Sequence, residues 1–496
     1  MSKKALKVAL LLGLVLLVVL SAGTVMAITF GSVKKPLPEY VGSKACLGCH
    51  SDRYVSWVGS GHGTMLTAIT GPDVLPGDIN ATTPELKAEL QKADFVVAGQ
   101  RFLARNGTTG EMTYLNVVWN PTAQAYQPTK GGSSWSQGCA GCHSTNYDKK
   151  TMQFSDAGIG CEACHGPGRD HIAGKGDVAK VVKSTSSDVC GQCHGGGKML
   201  DGTGWVSGYR PNMKLADVSG IKMADAVDLA GVVPSSALHL RQYPMWLASG
   251  HGPKAVSDLK SNDHASGNCY ACHTQEAFSA KQAKKPFTLD KNADYVAISC
   301  VVCHRPHSTG FAMDEKTLCI TCHNGGIADG GSLKPGSVSH HPMKEFFAGF
   351  GAAGGMTSKG NVHKELTCQE CHMTEGNHLF KVIQPKDVLD SNRVDTCTTC
   401  HKDSSKDVRQ AYLDMWQNST KSRIDTLNAD IAAIDAAVKA GATLSADQKL
   451  QVDTARTNVS FVTADGSTGA HNFDYATRIL SAAQKDINAV KAAVVK

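Results

Sequence analysis

Aromatic residues make up only 6% of this 496-residue chain, and glycine, at 50 residues, outnumbers all of its Phe, Tyr and Trp together. So few rings cannot fill the core of a chain this long, and another apolar body has to supply the bulk. Cysteine outside one motif is absent. All 18 cysteines fall in Cys-x-x-Cys pairs, which leaves none for disulfides, for a zinc site or for a lone nucleophile. Long apolar runs are missing beyond the one at the N-terminus, so no other segment could cross a bilayer as a helix. Charge of one sign is scarce as well. The formal +6 falls to +3 if Lys3, Lys4 and Lys7 leave with an N-terminal leader, so nucleic-acid binding gains no support.

What is present is one motif, nine times. The pairs are Cys46/Cys49, Cys139/Cys142, Cys161/Cys164, Cys190/Cys193, Cys269/Cys272, Cys300/Cys303, Cys319/Cys322, Cys368/Cys371 and Cys397/Cys400, each followed at once by His. Cys-x-x-Cys-His is the attachment signature of haem c. Two thiols two residues apart can add across the two vinyl groups of one porphyrin, and the next residue then lies beneath the iron. A single Cys-x-x-Cys also suits zinc or a redox dithiol. Nine that all end in His, with no cysteine outside them, point to nine covalent haem c groups, with His50, His143, His165, His194, His273, His304, His323, His372 and His401 as proximal ligands. The haem propionates would make the mature chain acidic.

The N-terminus agrees with the chemistry. Lys3, Lys4 and Lys7 precede an apolar run from Val8 to Leu20, and Val25-Met26-Ala27 offers small residues for cleavage after Ala27. This predicts a signal peptide over residues 1–27 and an exported protein, periplasmic or at the cell surface. The alternative is an uncleaved inner-membrane anchor over residues 5–27. The first cysteine, Cys46, stands too far from the cleavage site for a lipoprotein.

The chain also repeats itself. Tyr54-Val-Ser-Trp57-Val-Gly-Ser60-Gly61-His62-Gly63 returns as Tyr243-Pro-Met-Trp246-Leu-Ala-Ser249-Gly250-His251-Gly252. Behind each copy come three motifs in similar dress, and the second of each three has a trailing histidine, His171 or His307. The theme appears once more as His372 with His378. A duplicated module with additions at both ends follows: a four-motif part over 28–235, a five-motif part over 236–402 and a tail over 403–496. Residues 92–128 alternate Val, Phe, Leu and Tyr around Asn106-Gly107 and Gly110, which predicts a small β-hairpin. In the tail, Ile424, Leu427, Ile431, Ile434 and Val438 form a helical stripe ended by Gly441. Ser445 with Gln448 resembles a capping box, and Leu480, Ala483, Ile487, Val490 and Val494 form a further stripe. The expected fold is mainly α and loop, with short helices around a haem-packed core, a small β-hairpin element and long C-terminal helices.

Function turns on the second axial position of each iron. A second imidazole closes it and leaves electron transfer; an open position admits a substrate. Eleven histidines lie outside the motifs: His62, His171, His239, His251, His264, His307, His340, His341, His363, His378 and His471. His340 and His341 are neighbours and count as one ligand, which still leaves enough for nine sites. A histidine trailing its own motif closely is expected to serve a neighbouring site, because the chain cannot easily wrap to the opposite face.

On these residues the chain resembles the ammonia-forming cytochrome c nitrite reductases and octahaem reductases from about residue 236 onward. Arg241-Gln-Tyr243-x-x-Trp246-x-x-Ser-Gly-His251-Gly, the Cys368–Met373 motif and the long helices with Ala470-His471-Asn472 carry the likeness. In that family such helices make the dimer contact, so a homodimer or polymer is implied. The earlier part, with Cys161 to His171, is similar to respiratory haem-wire cytochromes. All nine motifs end in His, whereas the nitrite reductases bind their catalytic haem through a Lys-ended motif, so that activity does not carry over. The expected function is electron relay between respiratory donors, such as quinol-linked membrane complexes or other cytochromes, and a terminal reductase or extracellular acceptor. The alternative is a reductase of a small nitrogen or sulfur oxyanion at one open haem, with His239, Arg241 and Tyr243 as its catalytic cluster.

Overall fold

The computed structural model describes residues 38–196, 209–219, 241–388 and 394–495. The leader expected over 1–27 and the candidate ligand His239 lie outside them. The described chain is mostly short helices and loops, with one small sheet and three long C-terminal helices.

Where a hairpin is expected, the chain builds a five-stranded antiparallel meander. Its strands are β1 (Leu66–Ala68), β2 (Phe95–Val97), β3 (Arg101–Arg105), β4 (Met112–Asn120) and β5 (Ala125–Pro128), paired in chain order. β1 has three residues, too few for alternation to show in the sequence. Side-chain amides make the turns. Asn106 Oδ1 accepts from the Thr108 and Thr109 amides at 2.9 and 3.0 Å, and Asn120 Oδ1 accepts from Thr122 and Ala123 at 3.0 Å each. Alternation then sorts the faces. Val96, Phe102, Val117 and Trp119 pack on one side with Leu90. Phe95, Val97, Leu103 and Met112 pack on the other with Trp135 and Ala140. That second face seats the Cys139 motif, and Tyr114 Oη lies 3.7 Å from Cys139 Sγ.

The two copies of the repeat form equivalent helices, α1 (Ser51–Val58) and α2 (Gln242–Ala248). The tail folds as α3 (Lys406–Lys439), α4 (Ala446–Ala464) and α5 (Phe473–Val494). The Ser445/Gln448 capping box starts α4. Leu427, Ile431 and Ile434 of α3, Val452, Val459 and Val462 of α4, and Ile479, Leu480, Ile487 and Val490 of α5 close into one core, which also takes in Phe346 and Ala352. The expected stripes are thus buried within the chain. Val438 is the exception, at 40% exposed. Among the described residues, no helix is long and apolar enough to cross a membrane.

The bundle gives a stability prediction. Ile434 is fully buried, so Ile434→Ala should lower unfolding free energy by about 2–5 kcal/mol in denaturant titrations, whereas Val438→Ala should stay within about 0.5 kcal/mol.

Candidate metal centres

Several attachment motifs fold as a short helical turn that ends on the histidine, as at Cys161–His165, Asp188–His194, Gly267–His273 and Cys368–His372. The repeated phrase anchors such turns. Trp57 Nε1 donates to the Ile159 carbonyl at 2.8 Å, and Trp246 Nε1 donates to the Ile298 carbonyl at 2.7 Å. Both carbonyls lie two residues ahead of a motif cysteine, Cys161 and Cys300. Ser60 Oγ and Ser249 Oγ then donate back to the Trp57 and Trp246 carbonyls at 2.7 and 2.8 Å. A Cβ on Gly63 would sit 2.4 Å from the Trp57 oxygen, and one on Gly252 would sit 2.6 Å from the Leu247 oxygen. The phrase therefore clamps a histidine-bearing turn onto the second motif of each set of three.

Histidines from distant segments then face one another in pairs. The ring centres of His50 and His171 lie 6.2 Å apart, His62 and His194 6.3 Å, His165 and His307 5.9 Å, and His251 and His323 6.0 Å. His273 and His341 lie 6.1 Å apart, His304 and His378 6.1 Å, His363 and His401 6.1 Å, and His372 and His471 6.0 Å. Direct ring contact would be closer. Two imidazoles bonded at about 2 Å to opposite sides of one metal ion have ring centres about 6 Å apart. Each pair joins one motif histidine to one histidine from outside the motifs. Burial favours the ligating form: it pushes His251 and His323 down to about 4, so both rings stay neutral with a free lone pair.

The pairing runs between motifs. His171, His307 and His378, which trail the motifs of His165, His304 and His372, face His50, His165 and His304 respectively. Each trailing histidine thus faces the histidine of a motif other than its own. The His165–His307 pair also crosses the expected boundary at residue 235.

Not every candidate is placed this way. His264 is exposed and has no ring partner among the described residues; its backbone amide donates to Asn262 Oδ1 at 2.9 Å, closing a surface turn. The ring centres of His340 and His341 lie 3.8 Å apart with the rings tilted by 53°, and one nitrogen of each lies within 4.8 Å of the other and of one on His273, so either ring reaches the same metal position; His341 also lies 6.1 Å from His323. His143 stands 6.4 Å from the Trp135 ring, and the candidate ligand His239 is outside the described residues. The alternative catalytic cluster loses its hydroxyl. Tyr243 Oη donates to Asp188 Oδ1, and its buried ring packs so tightly on Gly191 that a Cβ there would sit 2.5 Å from Tyr243 Cδ2. Tyr243 is a prop for the Cys190 motif. Arg241 is the N-cap residue of α2.

Contacts between motifs give the order of the attachment sites. The Cys161 amide donates to Ser43 Oγ at 2.8 Å, Gln192 Nε2 donates to the Ala163 carbonyl at 3.0 Å, and the Cys300 amide donates to Ser187 Oγ at 3.3 Å. Val302 and Cys303 pack with Cys322 around Met313. Gln369 Nε2 donates to the Glu315 carbonyl at 2.9 Å, and Thr396 Oγ1 donates to the Cys371 carbonyl at 3.1 Å. A continuous row results, through the sites of Cys46, Cys161, Cys190, Cys300, Cys319, Cys368 and Cys397. The free thiols stand where thioether sulfurs would lie. The sulfurs of Cys46 and Cys161, of Cys190 and Cys300, and of Cys319 and Cys368 adjoin one another along the row. Contacts of Cys142 with Cys193 and of Cys272 with Cys322 attach the Cys139 and Cys269 sites as side branches. Sequence reasoning had no signal for this order, because it depends on which motifs meet in space. At the far end, Asp395 accepts from the Cys397 and Thr398 amides and pairs with Arg409 of α3 at 2.6 Å, which ties the Cys397 motif to the bundle.

Cys49 and Cys400 stand apart from most of the motif cysteines. Both are exposed, whereas most of the other motif cysteines are half-buried. Each is the second cysteine of a motif at one end of the row, the Cys46 and Cys397 sites, where a neighbouring site stands on one side only. Cys49 and Cys400 are therefore held by their own motif turns, through amides that donate to the Cys46 and Cys397 carbonyls at 3.2 and 3.3 Å. Cys368 is exposed too, yet its thiol meets that of Cys319 in the interior of the row.

Two thiols, an imidazole and a second imidazole at metal-bridging distance are the donor set that a covalently bound, six-coordinate haem requires. Comparisons with known proteins agree. The family described as cytochrome c552 matches residues 341–496, cytochrome c3 matches 247–324, and cytochrome c554 and c-prime matches 118–166. The chain therefore belongs to the multihaem c-type cytochromes, whose haem c is covalently bound. Within them it is similar to the outer cell wall cytochrome OcwA, whose crystal structure aligns with a TM-score of 0.77 at 31% identity over 91% of this chain and 100% of that one. The undecahaem cytochrome from the S-layer of Carboxydothermus ferrireducens shares the fold, with a TM-score of 0.65 at 21% identity over 92% of this chain and 70% of that one. The C-type polyhaem cytochrome OmcB of Geobacter sulfurreducens is 22% identical over 271 residues, 44% of this chain, and the match spans only 34% of that relative's length.

Carbon monoxide separates a ligand from a bystander. His251→Ala should create one new CO-binding site per reduced chain, at the Cys319/Cys322 group, whereas His264→Ala should create none. CO titration followed in the Soret band reads both.

Proposed function

We propose that this chain carries nine haem c groups, one at each motif, and relays electrons without substrate chemistry at any iron. The observation that carries the reading is the facing of motif histidines with outside histidines at iron-bridging distance. Each bound iron would supply reversible one-electron exchange, and two imidazoles favour its ferric state relative to His/Met ligation. The chain's own part is to close the axial positions and to fix the order of the sites. That order supports a row of seven with the Cys139 and Cys269 sites as branches, giving electrons more than two ends at which to arrive or leave. The exposure of Cys49 and Cys400 supports the two row ends as such points. His62, His171, His251, His307, His363, His378, His471 and one of His340 and His341 act as distal ligands, and His239 is the further candidate.

Export with the leader removed after Ala27 fits relatives named for an outer cell wall and an S-layer. Donors and acceptors are then other cytochromes, quinol-linked complexes, a terminal reductase or an extracellular acceptor. The exposed Val408, Tyr412 and Met415 of α3 offer a surface for self-association.

Stopped-flow reoxidation tests the relay. The dithionite-reduced protein should return its full complement of electrons to a chelated ferric acceptor, while nitrite, hydroxylamine and sulfite are not consumed beyond that single complement. Sustained turnover of any of the three, with an electron donor supplied, would instead establish the reductase.

A further inference from the structure

The hydrogen bonds behind the axial rings are not alike. His165 Nδ1 lies 2.7 Å from the Val182 carbonyl, His171 Nδ1 2.8 Å from that of Asp177, His372 Nδ1 3.0 Å from that of Phe380, and His378 Nδ1 2.8 Å from that of Gly376. His471 differs. Its Nδ1 lies 2.7 Å from a carboxylate oxygen, Asp465 Oδ1, and the Asp465 side chain is fully shielded from solvent. A neutral acceptor fixes a ring's orientation. A buried carboxylate also draws the Nδ1 proton toward itself and puts anionic character on the opposite nitrogen, Nε2, the one left to bind a metal.

The turn between α4 and α5 holds that carboxylate in place. Asp465 follows the last residue of α4, its Oδ2 accepts from the Ser467 amide at 3.2 Å and from Ser467 Oγ, and Ser467 Oγ accepts from the His471 amide at 3.0 Å. Oδ1 is thus left for the imidazole. Asn361 Nδ2 donates to the His471 carbonyl at 3.1 Å, which fixes the ring's backbone from the other side. Gln417 Nε2 of α3 donates to the Ser467 carbonyl at 3.2 Å, so all three long helices support the turn.

We propose that Asp465 is a positioning residue that makes the Cys368/Cys371 haem the low-potential step of the row, by charging its distal ligand His471 through a buried carboxylate–imidazole hydrogen bond. An electron-rich axial nitrogen stabilises ferric over ferrous iron, and the low-dielectric surroundings strengthen the effect. The site lies between those of Cys319 and Cys397, so an electron moving to or from the C-terminal end of the row crosses this step. The terminal site is thereby set apart from the other sites. The proposal rests on His471 being the distal ligand at this site.

Two arms keep the proposal and that reading apart. In the haem-loaded full chain, His471→Ala should convert one site from low to high spin in the electron paramagnetic resonance spectrum. If the spectrum does not change, His471 is not a ligand and the proposal falls with the reading. Asp465→Asn keeps the shape and removes the charge. It should leave every site low spin while raising one midpoint potential, by about 59 mV for a tenfold change in a one-electron equilibrium. Asp465→Glu should restore most of the original value. Ser467→Ala disturbs the same turn and keeps the carboxylate, so it should leave that potential near the native one. If all potentials in Asp465→Asn match the native set, or if Ser467→Ala shifts the same site equally, the carboxylate does not tune this haem. Where Asp465→Asn loads poorly, the native protein still decides. One low-spin site should show a near-infrared charge-transfer band displaced from the others, and its absence overturns the proposal.

Discussion

Two imidazoles straddling one iron position form the constraint on which the rest of this structure depends. Each pair ties a motif to a histidine in another part of the chain, so a site cannot form until both segments are present. His165 with His307 joins what the sequence divides into modules, and His372 with His471 joins the motif region to the helical tail. Such ties, with porphyrins as the apolar filling, account for how a chain so poor in aromatics organises a long run of loops. The regular elements are then supports. The sheet seats the Cys139 motif, and the C-terminal bundle carries His471 and, through Arg409, braces the Cys397 motif.

The repeat shows the same logic at smaller scale. A tryptophan indole bonded to the segment leading into a motif, a serine closing the turn and a glycine where no Cβ fits together deliver one histidine. Duplicating that unit adds three attachment sites at once, already ordered relative to one another. A row lengthened by whole units keeps its internal contacts, because the Cys142–Cys193 and Cys272–Cys322 contacts are copies of one arrangement.

Much of this was legible in the sequence, because covalent attachment leaves a local mark. Nine motifs, the repeat that singles out His62 and His251, and the trailing His171, His307 and His378 are all short-range patterns. The helical stripes and the Ser445 cap were legible for the same reason. What escaped depends on meetings in space. Which histidine serves which site, the order of the sites and the role of Asp465 all join residues that sequence spacing does not relate. Cys49 and Cys400 read like every other motif cysteine, yet they are exposed at the row's ends. β1 was too short to announce itself, and His264 stood before a motif in the manner of a ligand yet folds into a surface turn. Tyr243 sat in a phrase that suggested an active site, and its hydroxyl is committed to Asp188.

The central claim is that histidine closes the irons. Electron paramagnetic resonance of the fully oxidised, haem-loaded protein, with nitrite and hydroxylamine added in steps, tests it most directly. The account predicts low-spin ferric signals alone, unchanged by either ligand. A high-spin fraction amounting to a whole site, shifting as nitrite or hydroxylamine binds, would contradict it.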